Sequence, residues 1–126
     1  MIAADTSTWV AFLQGEQGED VQLLDEALKE RRVLMVPVVL TELLSDPNLH
    51  SSVADSLSDV PVAEMKPSFW IRAGLLRAKV LSKRRKARLG DAVIAQTCLD
   101  AGILLITRDR DFQSFIEVAG LNIIVG

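Results

Sequence analysis

Short apolar runs alternate with amphipathic stretches along the whole chain. Met1-Ile2-Ala3-Ala4 is apolar and stops at Asp5, and Asp5-Thr6-Ser7-Thr8 then supplies cap-forming residues before Trp9-Val10-Ala11-Phe12-Leu13. That order predicts a strand turning directly into a short helix. Gln14 to Asp20, with two glycines, reads as a loop. Val21, Leu24, Ala27 and Leu28 fall at helical spacing and predict an amphipathic helix reaching Glu30. Val33-Leu34-Met35-Val36 is continuously apolar, as a strand buried on both faces requires. Pro37 ends that run and suits a first helical turn leading into Val39 to Leu44.

Asp46-Pro47-Asn48 breaks this helix, and Ser51 to Ser58 is a polar, weakly helical segment. Val60 to Met65 suggests a short strand, peripheral because Pro61 cannot donate to a ladder. Pro67 opens a long helix whose apolar stripe is Phe69, Trp70, Ala73, Leu76, Val80 and Leu81. A helix from Asp91 closes at Ala101-Gly102. Then come a strand Ile103 to Thr107, a short helix around Phe112 to Val118 and a terminal strand Asn122 to Val125. The alternation predicts an α/β domain spanning residues 1–126. Its central parallel sheet has four to five strands, helices on both faces and right-handed crossovers.

Composition narrows the class without naming a function. A chain of 126 residues, 49% hydrophobic and 25% charged, buries roughly two thirds of its unfolded surface and is not a disordered segment. The lone Cys98 cannot form an internal disulfide, so nothing points to an oxidising compartment. Asp5 interrupts the first apolar run, and Val33 to Leu40 is far too short to cross a bilayer. A soluble cytoplasmic protein with no membrane contact is the expectation. The net charge of −3 hides a local excess: eight of the 14 basic residues lie between Arg72 and Arg88, and no acid occurs between Lys66 and Asp91. Lys83, Arg84, Arg85, Lys86 and Arg88 are candidate contacts for RNA or an acidic partner segment. A solvated helix end, whose last turn favours cations anyway, accounts for them equally well.

The acids carry more chemistry. In a parallel α/β sheet, ligands bind outside the carboxyl ends of the strands. Asp5 follows the first strand, Asp91 opens a late helix and Asp109 follows the fourth predicted strand. Glu42 lies in the helix after the second strand, where it reaches the same rim, and an acid among Val and Leu is costly unless compensated. Asp5, Asp91 and Asp109 are each explicable alone as a helix cap or turn residue, and Glu42 is the hardest to explain so. Together they make a pocket of mutually repelling carboxylates, which a divalent cation would relieve. An all-oxygen donor set suits Mg²⁺ or Mn²⁺. His50, the only histidine, belongs to a polar loop and faces solvent.

Four stretches, in order, resemble the signature segments of the PIN domain, and more narrowly those of the VapC-type ribonuclease toxins of bacterial and archaeal toxin–antitoxin pairs. They are Met1-Ile2-Ala3-Ala4-Asp5-Thr6-Ser7, Thr41-Glu42-Leu43, Leu89-Gly90-Asp91-Ala92-Val93-Ile94-Ala95 and Leu105-Ile106-Thr107-Arg108-Asp109-Arg110-Asp111-Phe112. The resemblance implies a Mg²⁺- or Mn²⁺-dependent endoribonuclease with Asp5, Glu42, Asp91 and Asp109 as its acidic quartet. It implies Thr6, Ser7 and Thr107 hydroxyls lining the pocket and Asp111 supporting it. It also implies an RNA substrate, a homodimer, and an antitoxin whose C-terminal segment covers the site. The basic approach from Lys83 to Arg88 departs from the usual pattern.

A catalytically silent PIN-like module acting through its partner is the alternative reading. A haloacid-dehalogenase-type phosphatase would need an acid two residues after Asp5, where Ser7 stands, and a phospho-accepting receiver would need a late Lys that is not evident. Flap-type nucleases need helical insertions that this length cannot hold. Trp9 and Phe12 are assignable to the core or to a partner surface.

Overall fold

A computed structural model describes all of residues 1–126. Three short strands, β1 (Ile2–Ala4), β2 (Leu104–Thr107) and β3 (Ile123–Val125), form a parallel sheet in that order. Seven helices surround it: α1 (Thr6–Leu13), α2 (Glu19–Lys29), α3 (Pro37–Leu44), α4 (Ser51–Ser58), α5 (Phe69–Ser82), α6 (Leu89–Ala101) and α7 (Gln113–Ala119). Leu105, Ile106 and Thr107 are all fully buried. Successive strand residues point to opposite faces, so both faces of the sheet are covered.

The predicted sheet of four to five strands is corrected to three strands and two single-bridge lanes. Val33 bridges Ile2 and Met35 bridges Val62, both in parallel, and neither pairing grows into a ladder. Pro37 begins α3 immediately after Val36, and Pro61 contributes a carbonyl to Met35 but no N–H. Both runs are therefore spent after one or two hydrogen bonds. Asp109 consequently follows the second strand rather than a fourth.

Helix edges show smaller departures. Asp20, expected in a loop, lies in the first turn of α2 and is fully buried. In α5 the buried stripe is Phe69, Ala73, Leu76 and Val80, at steps of four, three and four residues. Trp70 and Leu81 do not belong to it, because each stands one residue, about 100° of rotation, off that line. Ser68, not Pro67, immediately precedes α5. α6 starts at Leu89 after Arg88, so Asp91 sits in its first turn and is not its cap, and Gly102 closes it at φ 65°. α4 forms as expected, with His50 exposed and its Nδ1 accepting from Ser52 N–H at 3.1 Å.

The core runs from β1 (Ala3, Ala4) through β2 to Trp9, Leu24, Ala92 and Ala95, and closes beneath Phe112 and Phe115. Trp9 is core and Phe12 half-buried beside it, ring centroids 6.0 Å apart and edge to face. Burial pushes the Cys98 thiol up to about 12, which makes it an inert packing residue. No helix is long and apolar enough to cross a membrane.

Candidate functional site

The register of the sheet begins the site. Ala4 pairs with Ile106, so the next residues, Asp5 and Thr107, emerge side by side at the carboxyl edge. Asp5 N–H completes the ladder on Ile106 O at 3.0 Å, and Thr107 Oγ1 donates to Asp5 Oδ2 at 2.7 Å. Asp5 is also the N-cap of α1: its Oδ1 accepts from Thr8 N–H at 3.2 Å and from Ser7 Oγ at 2.7 Å. The capping role and the pocket position coincide, since the helix begins where the strand ends.

Asp109 arrives by the same logic on the neighbouring strand. Its N–H donates to Thr107 Oγ1 at 2.9 Å, and its Oδ1 caps the short 3₁₀ turn Arg110–Phe112 by accepting from Asp111 N–H at 2.9 Å. Asp91 comes from the first turn of α6. Glu42 comes from α3, where Thr6 Oγ1 donates to its Oε1 at 2.9 Å. Glu42 is exposed, because Val39 and Leu43 take the core side of α3 and leave it on the outer side. The cost expected for an acid among Val and Leu therefore does not arise.

Asp5, Glu42, Asp91 and Asp109 line one cavity of about 240 Å³, together with Thr6, Ser7, Arg88, Gly90 and Ile94. Thr107 supports it from below through Asp5. Asp111 stands outside the lining and binds the cations beside it. Burial raises Asp5, only partly offset by the donors Ser7, Thr107 and Thr8. Burial, then the Asp109 charge, pushes Asp91 up to about 6 against the pull of Arg88. The cavity thus disfavours its own negative charge, which is the condition a cation relieves. Its donors are all oxygen, as Mg²⁺ or Mn²⁺ requires. No three of the carboxylates stand close enough to make a ready-formed chelate.

Arg88 is the nearest positive charge, and its position within the cavity was not evident from the basic run alone. Its guanidinium lies 2.7 Å from Asp111, 3.7 Å from Asp109 and 3.9 Å from Asp91. Lys86 reaches Asp111 at 3.2 Å, and together these cations hold the Asp111 carboxyl below the usual range. Arg85 pairs with Glu117. Only Lys83 and Arg84 of the five candidate RNA contacts are exposed without an ion pair, so the cluster is partly an internal clamp.

Carboxylates from four remote segments at the carboxyl edge of a parallel α/β sheet are accompanied by a family match. The chain belongs to the PIN domain family, whose model matches residues 2–118. Among curated proteins it is 25% identical to Ribonuclease VapC11 of Mycobacterium tuberculosis and to VapC ribonuclease Mb1587 of Mycobacterium bovis, in each case over 97% of this chain and 96% of the relative. Among solved structures it is similar to the VapBC-5 toxin–antitoxin complex of Mycobacterium tuberculosis (TM-score 0.69, 24% identity, 99% of this chain and 98% of the other). It is also similar to the DNA-bound VapBC of Salmonella typhimurium (TM-score 0.74, 19% identity, 99% and 98%). The kinship to VapC ribonucleases is distant and spans the chain.

Proposed function

We propose that this protein is a metal-dependent endoribonuclease, the toxin of a toxin–antitoxin pair, working in the cytoplasm. One observation carries the reading: four acids separated by as much as 104 positions, from Asp5 to Asp109, line a single cavity. Asp5, Asp91 and Asp109 would hold Mg²⁺ or Mn²⁺, and Glu42 would either share it or orient the attacking water. Such an ion, held by these carboxylates, would supply Lewis-acid charge to the scissile phosphate. Ser7, Thr107 and Thr8 N–H fix both oxygens of Asp5, and Thr6 fixes Glu42. Arg88, Lys83 and Arg84 would contact the sugar-phosphate backbone, which positions a strand without reading its bases.

Two surfaces support the partners. An apolar groove of about 310 Å³ between α1, α2 and α4, lined by Trp9, Phe12, Leu13, Leu28 and Leu57 among others, suits an antitoxin segment. On α5, Trp70, Ile71 and Leu75 are 66%, 67% and 65% exposed, an apolar patch suited to a second copy. Light scattering of Leu75→Glu tests the homodimer: a monomer is expected, and an unchanged mass would move the interface elsewhere.

The direct test is cleavage of RNA by purified protein, which should require Mg²⁺ or Mn²⁺ and disappear in folded Asp5→Asn and Asp91→Asn. Undiminished cutting by either variant would remove the assignment. The second reading, a silent module acting through its partner, draws on the looseness of the acids and on Arg88 among them. It predicts no cleavage by the wild type under any metal.

A further inference from the structure

A second polar cluster, centred on Asp20, lies beside the cavity. Asp20 is fully buried, and its Oδ2 accepts from Thr8 Oγ1 at 2.9 Å and from Arg108 Nε at 2.7 Å. Arg108 Nη2 donates to Gln17 O at 2.6 Å, with the Glu16 carboxylate 3.8 Å from Nη1. Gly18 and Gly126 pack against the other side: a Cβ on either would come within 2.6 Å of Asp20 Oδ1. Both side-chain donors reach the carboxylate through Oδ2. Burial raises Asp20, yet the Arg108 and Thr8 hydrogen bonds outweigh it and hold the group ionised below the usual range.

The two residues that Asp20 grips both bear on Asp5 Oδ1, Thr8 directly and Arg108 through Ser7. Thr8 gives its hydroxyl to Asp20 and its N–H to Asp5 Oδ1. Arg108 gives its guanidinium to Asp20 and its N–H to Ser7 Oγ at 3.2 Å, which in turn donates to Asp5 Oδ1. Thr8 belongs to α1 and Arg108 follows β2, between Thr107 and Asp109, so one buried carboxylate ties together the segments on both sides of Asp5.

We propose that Asp20 is a positioning residue: through Thr8 and Arg108 it sets where Asp5 Oδ1 points, and so how well the cavity takes a divalent cation. The inference rests on the metal-dependent reading above. Mg²⁺ and Mn²⁺ sites require their ligands within about 0.5 Å of the productive geometry. Loss of the hydrogen-bond partners behind a ligand typically weakens binding about 10- to 100-fold.

The test is calorimetric titration of Mn²⁺ into Asp20→Asn, Thr8→Val and Thr8→Ser, each well below its melting temperature. Thr8→Val keeps the shape and the N–H but loses the hydroxyl, and Thr8→Ser restores it. Asp20→Asn is expected to weaken Mn²⁺ binding about 10-fold, Thr8→Val by a smaller factor, and Thr8→Ser to match the wild type. The Mn²⁺ concentration for half-maximal RNA cleavage should shift in parallel, while KM for RNA stays constant. Wild-type Mn²⁺ affinity in Asp20→Asn and Thr8→Val, whatever their melting temperatures, would overturn the inference. Should Asp20→Asn not fold, the Thr8 pair decides alone. A wild type that binds no Mn²⁺ would instead overturn the underlying metal reading, a result distinguishable from the first.

Discussion

Asp20 and Asp91 occupy matching places, each in the first turn of a helix and each withdrawn from solvent, yet their charges are opposed in fate. Both receive the same help from a helix N-terminus, so the macrodipole does not separate them. Their partners do. Asp20 has Arg108 at 2.7 Å and Thr8 at 2.9 Å and is held below the usual carboxylate range. Asp91 is pushed up to about 6 by burial and then by the Asp109 charge, because its one cation, Arg88 at 3.9 Å, is shared with Asp109 and Asp111. An acid given its own cation is complete as folded. An acid left with a distant share of one arginine, as Asp91 is, is complete only when more positive charge arrives.

Breaking the satisfied side should have the largest effect. Asp20→Ala strands Arg108 and Thr8 without their shared acceptor and should lower stability by about 3 kcal/mol, read from urea unfolding. A loss within the noise of a surface substitution would mean that the pair does not hold α2 to β2.

Relieving the unsatisfied side should act in the opposite direction and depend on pH. Folded Asp91 keeps its proton up to about pH 6, whereas the unfolded chain releases it near pH 4, so the folded form binds more protons between those values. Stability from this group is present in acid and lost as pH rises through about 6. In the presence of EDTA, Asp91→Asn should therefore exceed the wild type by about 1–2 kcal/mol near neutrality, solvent screening included. The advantage should shrink towards pH 4. Melting curves across that range check it, and a gap independent of pH would contradict it.

The basic loop sharpens the comparison at smaller scale. Lys83→Ala and Arg84→Ala should each raise KM for RNA a few-fold and flatten its log–log salt slope by about 0.7. Arg85→Ala should do less, since Glu117 already holds that side chain. Equal effects from all three would mean that the internal pairings do not matter to the substrate.

Much of this was legible along the chain, for a physical reason in each case. Asp5 and Asp109 are readable because strand ends and helix caps are local events, marked by Ala4-Asp5-Thr6 and Thr107-Arg108-Asp109. The two lanes beyond the three strands stop at single bridges because apolarity at Val33–Val36 and Val60–Met65 says nothing about how soon Pro37 and Pro61 end a ladder. Glu42 stands out in the sequence among Val and Leu, and helical rotation places it on the exposed side of its helix, at the cavity. Arg88 and Asp20 could be read only as members of a charge run and a loop. What makes them matter is proximity across 23 residues to Asp111 in one case and 88 to Arg108 in the other.

The most direct measurement is a calorimetric titration of Mn²⁺ near neutral pH into the wild type and into Asp5→Asn, with circular dichroism confirming both folds. Saturable binding at millimolar concentration or tighter in the wild type, lost in Asp5→Asn, is the result expected of acids that form one cation-requiring cup. No binding by the wild type, or equal binding by both proteins, would contradict it.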